Sequence, residues 1–448
     1  MATDSAVSNS GNADGSRRAS RRAWALLALL FLAYILSLMD RMILTLLVTD
    51  IKADLGISDI QIGLLQGLAF VLLYSAMGLP IGRLVDRANR THIIAIGIAL
   101  WSVATAMCGM ASKFWQLFIA RTAVGVGEAT LSPASYSLIA DSFPPSRLGL
   151  ATGIFALGAS AGSGLALVVG GSLVQWARDN GAVTLPLLGT MAPWQQVFML
   201  LGPPGVLLAL MFLLIGEPAR KDDGKGLPAW AEIGAFLRDN RTWIALLFCG
   251  VAASAMVLYG STAWIIAMFE RSHGWDVSRA GAATGTANIV GAAIGLICGG
   301  LASDRMRARS NAHRLLICAA ALALCAFFSL AYPLAPTGGW AAILWGGVMM
   351  TAGVPIGVAG ANLQEALPAN MRGVIAAIYF FFVNMIGAGL GPVLVPLTAR
   401  SLGRPEVLGP ALAIVMTSAS IAAAILFLFA FRAQRRRFAI ITNPQSHE

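Results

Sequence analysis

The stretch Gly82–Arg90, which reads GRLVDRANR, follows a long apolar segment and returns in altered form as Gly300–Arg307, GLASDRMR. A second stretch, Asp141–Gly149, reads DSFPPSRLG and returns as Glu365–Gly373, EALPANMRG. In both pairs the second copy lies six apolar segments after the first. This repetition predicts two homologous halves of six helices each, related by a pseudo-twofold axis along the membrane normal.

The composition of the chain is typical of a membrane protein. Hydrophobic residues make up 57% and charged residues 12% of its 448 residues, and the mean hydropathy is +0.75. Soluble domains carry about 25% charged residues, so a water-soluble core is excluded. At about 35 residues for each membrane helix with its loop, roughly twelve helices fit into the chain.

The apolar segments predict an all-α integral membrane protein with 12 transmembrane helices in two pseudo-symmetric six-helix bundles. The predicted segments are 24–48, 60–82, 91–112, 115–139, 148–176, 194–215, 243–268, 278–301, 313–333, 340–362, 373–399 and 411–431. The domains that follow are a disordered tail (1–22), an N-terminal bundle (23–216), a linker with a short interfacial helix (217–242), a C-terminal bundle (243–432) and a second tail (433–448).

The distribution of basic residues predicts the orientation. Of the 31 Lys and Arg residues, 22 lie in the tails and the even-numbered loops and seven lie in the odd-numbered loops. Basic residues are retained on the cytoplasmic side of a membrane, so both termini are predicted to be cytoplasmic. We expect the protein in the inner or plasma membrane, and the net charge of +10 therefore reflects topology and not a nucleic-acid partner.

The polar residues exclude several function classes. The five cysteines lie in apolar segments and the four histidines are scattered, so neither a disulfide framework nor a metal site is predicted. The sequence shows no arrangement typical of an enzyme active site, and we expect no cofactor. The GxxxxGK[ST] loop that would bind ATP in a primary pump is also missing from the sequence.

Four charged residues lie inside apolar segments: Asp40 and Arg41 in the first, and Arg121 and Glu128 in the fourth. A charge inside a membrane is costly and is usually functional. Arg121 and Glu128 share one helix face with Gly125, because four and three residues separate them. We expect Asp40 and Arg121 at similar depth, able to meet across a cavity, with Glu128 two turns deeper. The alternative is a structural ion pair or a static latch.

The quoted motifs resemble those of a known family. Gly82–Arg90 resembles the loop 2–3 signature of the major facilitator superfamily, with a degenerate copy at Asp304 and Arg305; Asn89 stands where that loop commonly has Gly. Within this superfamily, the residues around Asp40 and the stretch Arg121–Pro133 are similar to the spinster-type branch. The resemblance implies the major facilitator fold and transport of an amphiphilic lipid such as a lysophospholipid or sphingolipid.

Roles follow for the four intramembrane charges. Burial and a neighbouring Arg act on the pKa of a carboxyl in opposite directions, which suits a switch that loses its partner as a cavity opens. We therefore predict that Asp40 and Glu128 take up and release protons. Arg41 and Arg121 are predicted either to pair with these carboxylates or to bind an anionic headgroup, because the planar guanidinium can make two hydrogen bonds to it.

Two further groups of residues are candidates. A cytoplasmic gate is predicted, in which loop charges contact helix ends of the opposite half in the outward-facing state; the alternative is a topology anchor. Its residues are Asp86, Arg87, Arg90, Arg147, Asp304 and Arg305. Polar residues within the helices could line the cavity or form hydrogen bonds between helices. They are Tyr34, Gln66, Tyr136, Asn288, Tyr379 and Asn384.

The sequence as a whole predicts a proton-coupled secondary transporter that works by alternating access. The alternative is a proton-linked symporter or exporter of a small organic anion or drug. The expected partners are the lipid bilayer, protons and a lipid or amphiphilic small molecule, and the protein is expected to act as a monomer.

Overall fold

The structure is a computed structural model that describes residues 21–186, 189–220, 230–368, 371–404 and 406–442. Most of the predicted N-terminal tail, part of the linker and the end of the predicted C-terminal tail lie outside the described residues. The predicted short helix of the linker falls within them and forms at Trp230–Asp239.

The described part of the first half forms nine helices and one hairpin. The helices are α1 (Arg21–Leu46), α2 (Val48–Leu55), α3 (Asp59–Gln66), α4 (Leu68–Arg87), α5 (Arg90–Gly109), α6 (Phe114–Glu128), α7 (Leu131–Ser142), α8 (Pro145–Asn180) and α9 (Pro193–Ile215). Strands β1 (Val183–Leu185) and β2 (Gly189–Met191) pair antiparallel between α8 and α9.

The second half repeats this plan after the linker helix α10 (Trp230–Asp239). Its helices are α11 (Arg241–His273), α12 (Val277–Arg307), α13 (Arg314–Ala331), α14 (Gly338–Ala352), α15 (Val354–Ala366), α16 (Arg372–Phe382), α17 (Gly389–Ser401) and α18 (Leu408–Thr442). A π-helical turn, Val383–Ala388, joins α16 to α17.

Eleven stretches of the described chain are long and apolar enough to cross a membrane as continuous or nearly continuous helices. The predicted apolar segment 115–139 forms two helices, because α6 ends at Glu128 and α7 begins at Leu131. Pro133 has no N–H to donate to the carbonyl of Ala129, which weakens the helix at this point. The pair α6–α7 completes the twelfth crossing, and Glu128 lies at its break.

Twelve crossings bring both ends of the described chain to one side of the protein, which we call the terminal face. The opposite side, with residues 47–58, 110–113, 181–192, 274–276, 335–337 and 402–407, we call the far face. The largest buried apolar cluster joins the two halves toward the far face, where Ile43 and Leu167 belong to the same cluster as Val277. The packed core that connects the halves therefore lies on the far side of the molecule.

Backbones of the two halves touch where α3 meets α17. A Cβ atom on Gly63 would lie 2.6 Å from the carbonyl oxygen of Pro392, and one on Gly67 would lie 2.6 Å from that of Gly389. Real Cβ atoms do not approach oxygen atoms so closely. Only glycine at these two positions lets the halves close over the far side.

The terminal side of the same interface is open. Helices α8 and α12 pack together from Gly171, beside the backbone of Val277, to Ser163, which accepts a hydrogen bond from Asn288. Closer to the terminal face, no atom lies within 4 Å of a Cβ placed on Gly153 or Gly300. The two halves thus enclose a space that is closed on the far side and accessible from the terminal side.

We predict that Gly67→Ala shifts the protein away from this conformation. Gly67 has an ordinary negative φ of −102°, so the methyl group causes no local strain and acts only through its clash with the backbone of α17. Spin labels at Ser112 and Gly339, both on exposed far-face positions, should report longer distances. Gly78→Ala is the matched control, because nothing lies within 4 Å of its Cβ position; equal distance distributions for the two variants would contradict the prediction.

Candidate functional site

The carboxylate of Glu128 is held by two residues of α1. Arg41 Nε donates to Glu128 Oε2 over 2.5 Å, and Ser37 Oγ donates to the same oxygen over 2.6 Å. Ser37 and Arg41 are four residues apart, so they lie one turn apart on the same face of α1. Glu128 is only 1% exposed, and an unpaired charge would be expensive there. This ion pair therefore couples the break after α6 to α1.

Asp40 lies beside this pair and has different partners. Its carboxylate accepts a hydrogen bond from Thr105 Oγ1 of α5 over 3.1 Å, and the residue is 4% exposed. Arg121 Nη1 donates to the main-chain carbonyl of Asp40 over 2.9 Å. No cation lies within ion-pair distance of the Asp40 carboxylate among the described side chains. One buried carboxylate of the cluster is ion-paired, and the other is held only by a hydroxyl group.

The four intramembrane charges come together, but their pairing differs from the expected one. Arg121 contacts Asp40, and the two residues were expected at similar depth. The contact is with the main-chain carbonyl of Asp40 and not with its carboxylate. The deeper residue, Glu128, pairs with Arg41. Because Arg41 follows Asp40 directly, the two side chains of α1 point in different directions, one toward α6 and one toward α5. The depth of a residue along its helix, which can be read from the sequence, does not show in which direction its side chain points.

A cavity lies between the halves and is bounded by the two arginines. Its volume is about 60 Å³, smaller in this conformation than a site that encloses a drug-sized molecule. The guanidinium of Arg41 stacks over Phe70 at 4.4 Å from the ring centroid and over Tyr74 at 4.8 Å. Gly125 makes this possible, since its Cα lies against the backbone of Phe70 with no room for a Cβ. The two rings hold the guanidinium of Arg41 at the wall of the cavity, which this residue lines.

Several buried polar atoms of this region have no hydrogen-bond partner among the described residues. They are Oε1 of Glu128, Nε of Arg121 and both side-chain amide atoms of Gln66. Buried polar groups in native proteins are nearly always satisfied, so such a group marks the place of a ligand or of water. Gln66 and Arg121 both line the cavity.

The predicted cavity residues separate into three groups. Gln66 and Asn384 line the cavity. Tyr34 and Tyr136 pack on Phe155, with ring centroids at 4.9 and 5.3 Å. The other two make contacts between helices. Asn288 of α12 donates a hydrogen bond to Ser163 of α8, and Tyr379 is buried against Phe248. The cavity also uses Phe70, Tyr259 and Thr262, which carry no sequence signal that separates them from packing residues.

At the terminal face, Arg90 is the center of a buried polar cluster. It is 2% exposed, and it donates to Asp141 Oδ2 and Glu217 Oε1, each over 2.5 Å. Asp141 belongs to the first half and Glu217 begins the linker, so neither partner lies in the second half. The expected contacts with the second half are not formed in this conformation, and Arg147, in the first turn of α8, lies in the same half as Asp86 and cannot supply the contact between halves that was predicted for the gate. Four further predicted gate residues are exposed, with no side-chain ion pair among the described residues: Asp86, Arg87, Asp304 and Arg305.

At the far face, ion pairs that we did not predict connect the halves. Arg178 of α8 binds Asp50 over 2.8 Å and Glu270 of α11 over 2.7 Å. Arg271 binds Asp59 over 2.8 Å across the same interface. The pattern of basic residues in odd-numbered loops gave no sign of these pairs, because their acidic partners lie on other helices. These charges reinforce the closed far side.

The fold and the site together define a secondary membrane transporter built from two six-helix bundles around a central cavity. A sequence profile of the Major Facilitator Superfamily matches residues 30–392, and the chain belongs to this superfamily. Within the superfamily it is of the spinster type. Its relatives are transporters, in agreement with the prediction that the chain is not an enzyme.

Individual relatives support this placement. The crystal structure of a bacterial homologue of the human lysosomal transporter spinster, in an inward-facing and unoccupied conformation, matches with a TM-score of 0.77 and 26% identity, over 93% of this chain and 98% of that one. Protein spinster homolog 1 of Xenopus tropicalis is 34% identical over 188 residues, 41% of this chain and 36% of that protein. An MFS-type efflux pump of Mycolicibacterium smegmatis is 26% identical over 449 residues, covering 97% of this chain and 98% of the relative.

We predict a strong energetic coupling between Arg41 and Glu128. Arg41→Gln or Glu128→Gln alone leaves one charge of the pair without its partner, whereas the double variant leaves neither. The double-mutant cycle, measured as the apparent free energy of unfolding in detergent, should show a coupling of about 1–2 kcal/mol. The cycle between Arg121→Gln and Glu128→Gln is the control and should show a smaller coupling, because no hydrogen bond joins these two residues. Additive effects of Arg41→Gln and Glu128→Gln would contradict the ion-pair assignment.

Proposed function

We propose that the protein is a proton-coupled transporter that moves an anionic amphiphile, such as a lysophospholipid or sphingolipid, by alternating access. The observation that carries this proposal is the cluster of two arginines and two unequal carboxylates at the wall of the cavity. Arg41 and Arg121 line the cavity itself, and Asp40 and Glu128 lie directly behind them. The cluster thus offers positive charge to a ligand and a carboxyl group to a proton.

The protonation state of Asp40 determines the net charge of the cluster that a ligand would contact. Burial with only Thr105 as a hydroxyl partner favours the protonated form of Asp40 in this conformation. Glu128 is paired with Arg41, so the positive charge of Arg121 has no counterion within the cluster. An anion in the cavity balances that charge. When Asp40 loses its proton, the cluster becomes neutral and its attraction for the anion falls.

This arrangement links the proton to the cargo. Protonation of Asp40 strengthens anion binding, and by linkage anion binding strengthens protonation. Movement of the loaded site through the membrane then carries both species together. The same coupling serves import or export, depending on which side supplies the proton.

The shape of the open side supports an amphiphilic cargo. Helices α8 and α12 separate toward the terminal face, and both carry exposed apolar side chains there, including Leu150, Leu157 and Leu301. An acyl chain can extend into this apolar gap while its headgroup remains beside the arginines. This surface also leads directly to the bilayer, from which a lipid cargo would enter.

The alternative cargo is a small organic anion or drug. The similarity to the efflux pump extends over nearly the whole chain, and the two arginines at the cavity could bind a carboxylate as well as a lipid headgroup. A panel of lysolipids and small anions, tested in proteoliposomes with and without a pH gradient, distinguishes the two. Transport of small carboxylates without any lysolipid transport would favour the alternative.

The proposed orientation places both termini in the cytoplasm, because the tails and even-numbered loops carry most of the Lys and Arg residues. The conformation described above is then inward-open. The far-face ion pairs close the outer side in this state, and the residues of the predicted cytoplasmic gate are separated. In the outward-open state the far-face pairs must break and the gate must form.

We predict that Asp40→Asn abolishes transport driven by a pH gradient. The amide is neutral at every pH, so the variant retains the positive charge for the anion and should still exchange labelled cargo without a gradient. Uptake of a lysolipid into proteoliposomes, with and without the gradient, measures both properties. Asp179→Asn is the control, because this carboxylate is exposed at the far face and bonds only to Gln175; its pH response should equal that of the native protein. Gradient-driven uptake by Asp40→Asn would exclude Asp40 as the proton carrier.

We predict that Asp86→Asn increases the inward-open population. Asp86 lies near the C-terminal end of α4, where a negative charge is unfavourable unless a helix N-terminus or a cation faces it. In the open conformation its side chain is exposed, so the variant loses a contact only in the closed conformation. Spin labels at Ser146 and Arg309 should show more of the longer distances across the terminal face. Glu232→Gln, an exposed carboxylate on α10, is the control, and an unchanged distribution for Asp86→Asn would indicate a topology anchor alone.

A further inference from the structure

Gln66 is a polar residue of the cavity that the proposed mechanism does not use, and its side-chain amide is buried. Both atoms of its amide are buried and have no hydrogen-bond partner among the described residues, and the residue lines the cavity. A buried amide without hydrogen-bond partners lowers the stability of the protein when no cargo is bound. Packing alone would be served better by leucine or methionine at this position.

The position of Gln66 is set by the interface between the halves. It is the last residue of α3, and Gly67 after it interrupts the crossing with a φ of −102° and a ψ of −85°. Gly67 lies against the backbone of Ala388 and Gly389, at the end of the π-helical turn that carries Asn384. Two interrupted helices, one from each half, therefore bring Gln66 and Asn384 to the same cavity.

The hydrogen-bonding groups around the cavity differ in kind. Arg41 and Arg121 can only donate, so they select anionic oxygens. Thr262 donates its hydroxyl to the carbonyl of Leu258 over 2.7 Å, which leaves its oxygen as an acceptor. Gln66 and Asn384 each add a carbonyl oxygen, and the Asn384 side chain makes no hydrogen bond to other described residues. The cavity thus combines a donor wall for an anion with acceptors for an N–H or O–H group.

We propose that Gln66 selects cargo whose headgroup carries a hydrogen-bond donor, a hydroxyl or a primary ammonium group, beside its anionic oxygens. The inference rests on the proposed function and deepens it, since it defines the headgroup chemistry of the amphiphile. The anionic group binds Arg121 and the free Nη atoms of Arg41, and the donor binds Oε1 of Gln66. A headgroup that ends in a fully methylated ammonium has no hydrogen to give and leaves the Gln66 amide unsatisfied.

The test uses two lysophospholipids that share one acyl chain and differ only in their headgroup, ethanolamine or choline. The full chain in proteoliposomes should transport the ethanolamine probe with a kcat/KM roughly tenfold higher, the effect of about one hydrogen bond to a charged group. Gln66→Leu should bring the ratio close to one, mainly by raising the KM for the ethanolamine probe. Met42→Leu alters an apolar residue of the same cavity and should leave the ratio unchanged.

Each outcome bears on a different statement. If the native protein transports neither probe, the lipid cargo and this headgroup selection both fail. If it transports both with a ratio near one, headgroup selection fails and the lipid cargo remains. If Gln66→Leu keeps the native ratio, the selection does not belong to Gln66. Should Gln66→Leu not fold, Gln66→Glu decides, because it keeps the acceptor and should show a ratio at least as large as the native one; a ratio near one would overturn the proposal.

Discussion

The ion pair between Arg41 and Glu128 is the interaction on which the rest of the site depends. Glu128 has almost no exposure to solvent, and the low dielectric around it makes an unpaired charge very costly. Arg41 supplies the balancing charge through its long side chain, which reaches from α1 to Glu128 at the end of α6. The pair therefore fixes the relative position of the two helices. It also places Asp40 toward α5, where Thr105 is its hydroxyl partner and no cation pairs with it.

Interrupted helices form the site. A continuous helix uses its backbone N–H and C=O groups in its own hydrogen bonds and exposes only side chains. Pro133 ends the regular part of the fourth crossing directly after Glu128, and Gly67 interrupts the second crossing directly after Gln66. The π-helical turn before Gly389 does the same in the eleventh crossing. Irregular backbone within a membrane is tolerated where protein or a cavity surrounds it. The breaks of the second and eleventh crossings meet at the interface of the halves, whereas the break of the fourth crossing lies within the first half, against α1 and α5.

The sequence predicted the fold well because hydropathy and repetition act over long stretches. Twelve crossings and two homologous halves follow from apolar segments and from two repeated motifs, with the break at Ala129 as the main difference. The set of intramembrane charges was also predictable, since charge in an apolar segment is rare. Their pairing was not, because the direction of a side chain depends on helix rotation and packing. The far-face ion pairs were missed for the same reason: Arg178, Asp50 and Glu270 are distant in sequence and ordinary in composition.

In the proposed mechanism, proton and cargo depend on the same positive charge, and this gives a reason for two arginines at the site. A single arginine paired with Glu128 would be neutral and would hold no anion. A single arginine without a carboxylate would bind an anion permanently, with no means of release. With Arg121 added beside the Asp40 carboxyl, the proposed gain and loss of a proton would alternate the cluster between an excess positive charge and neutrality. Arg121 meets only the carbonyl of Asp40 in this structure, so its charge is available to the cavity while the neighbouring pair keeps the helices in place.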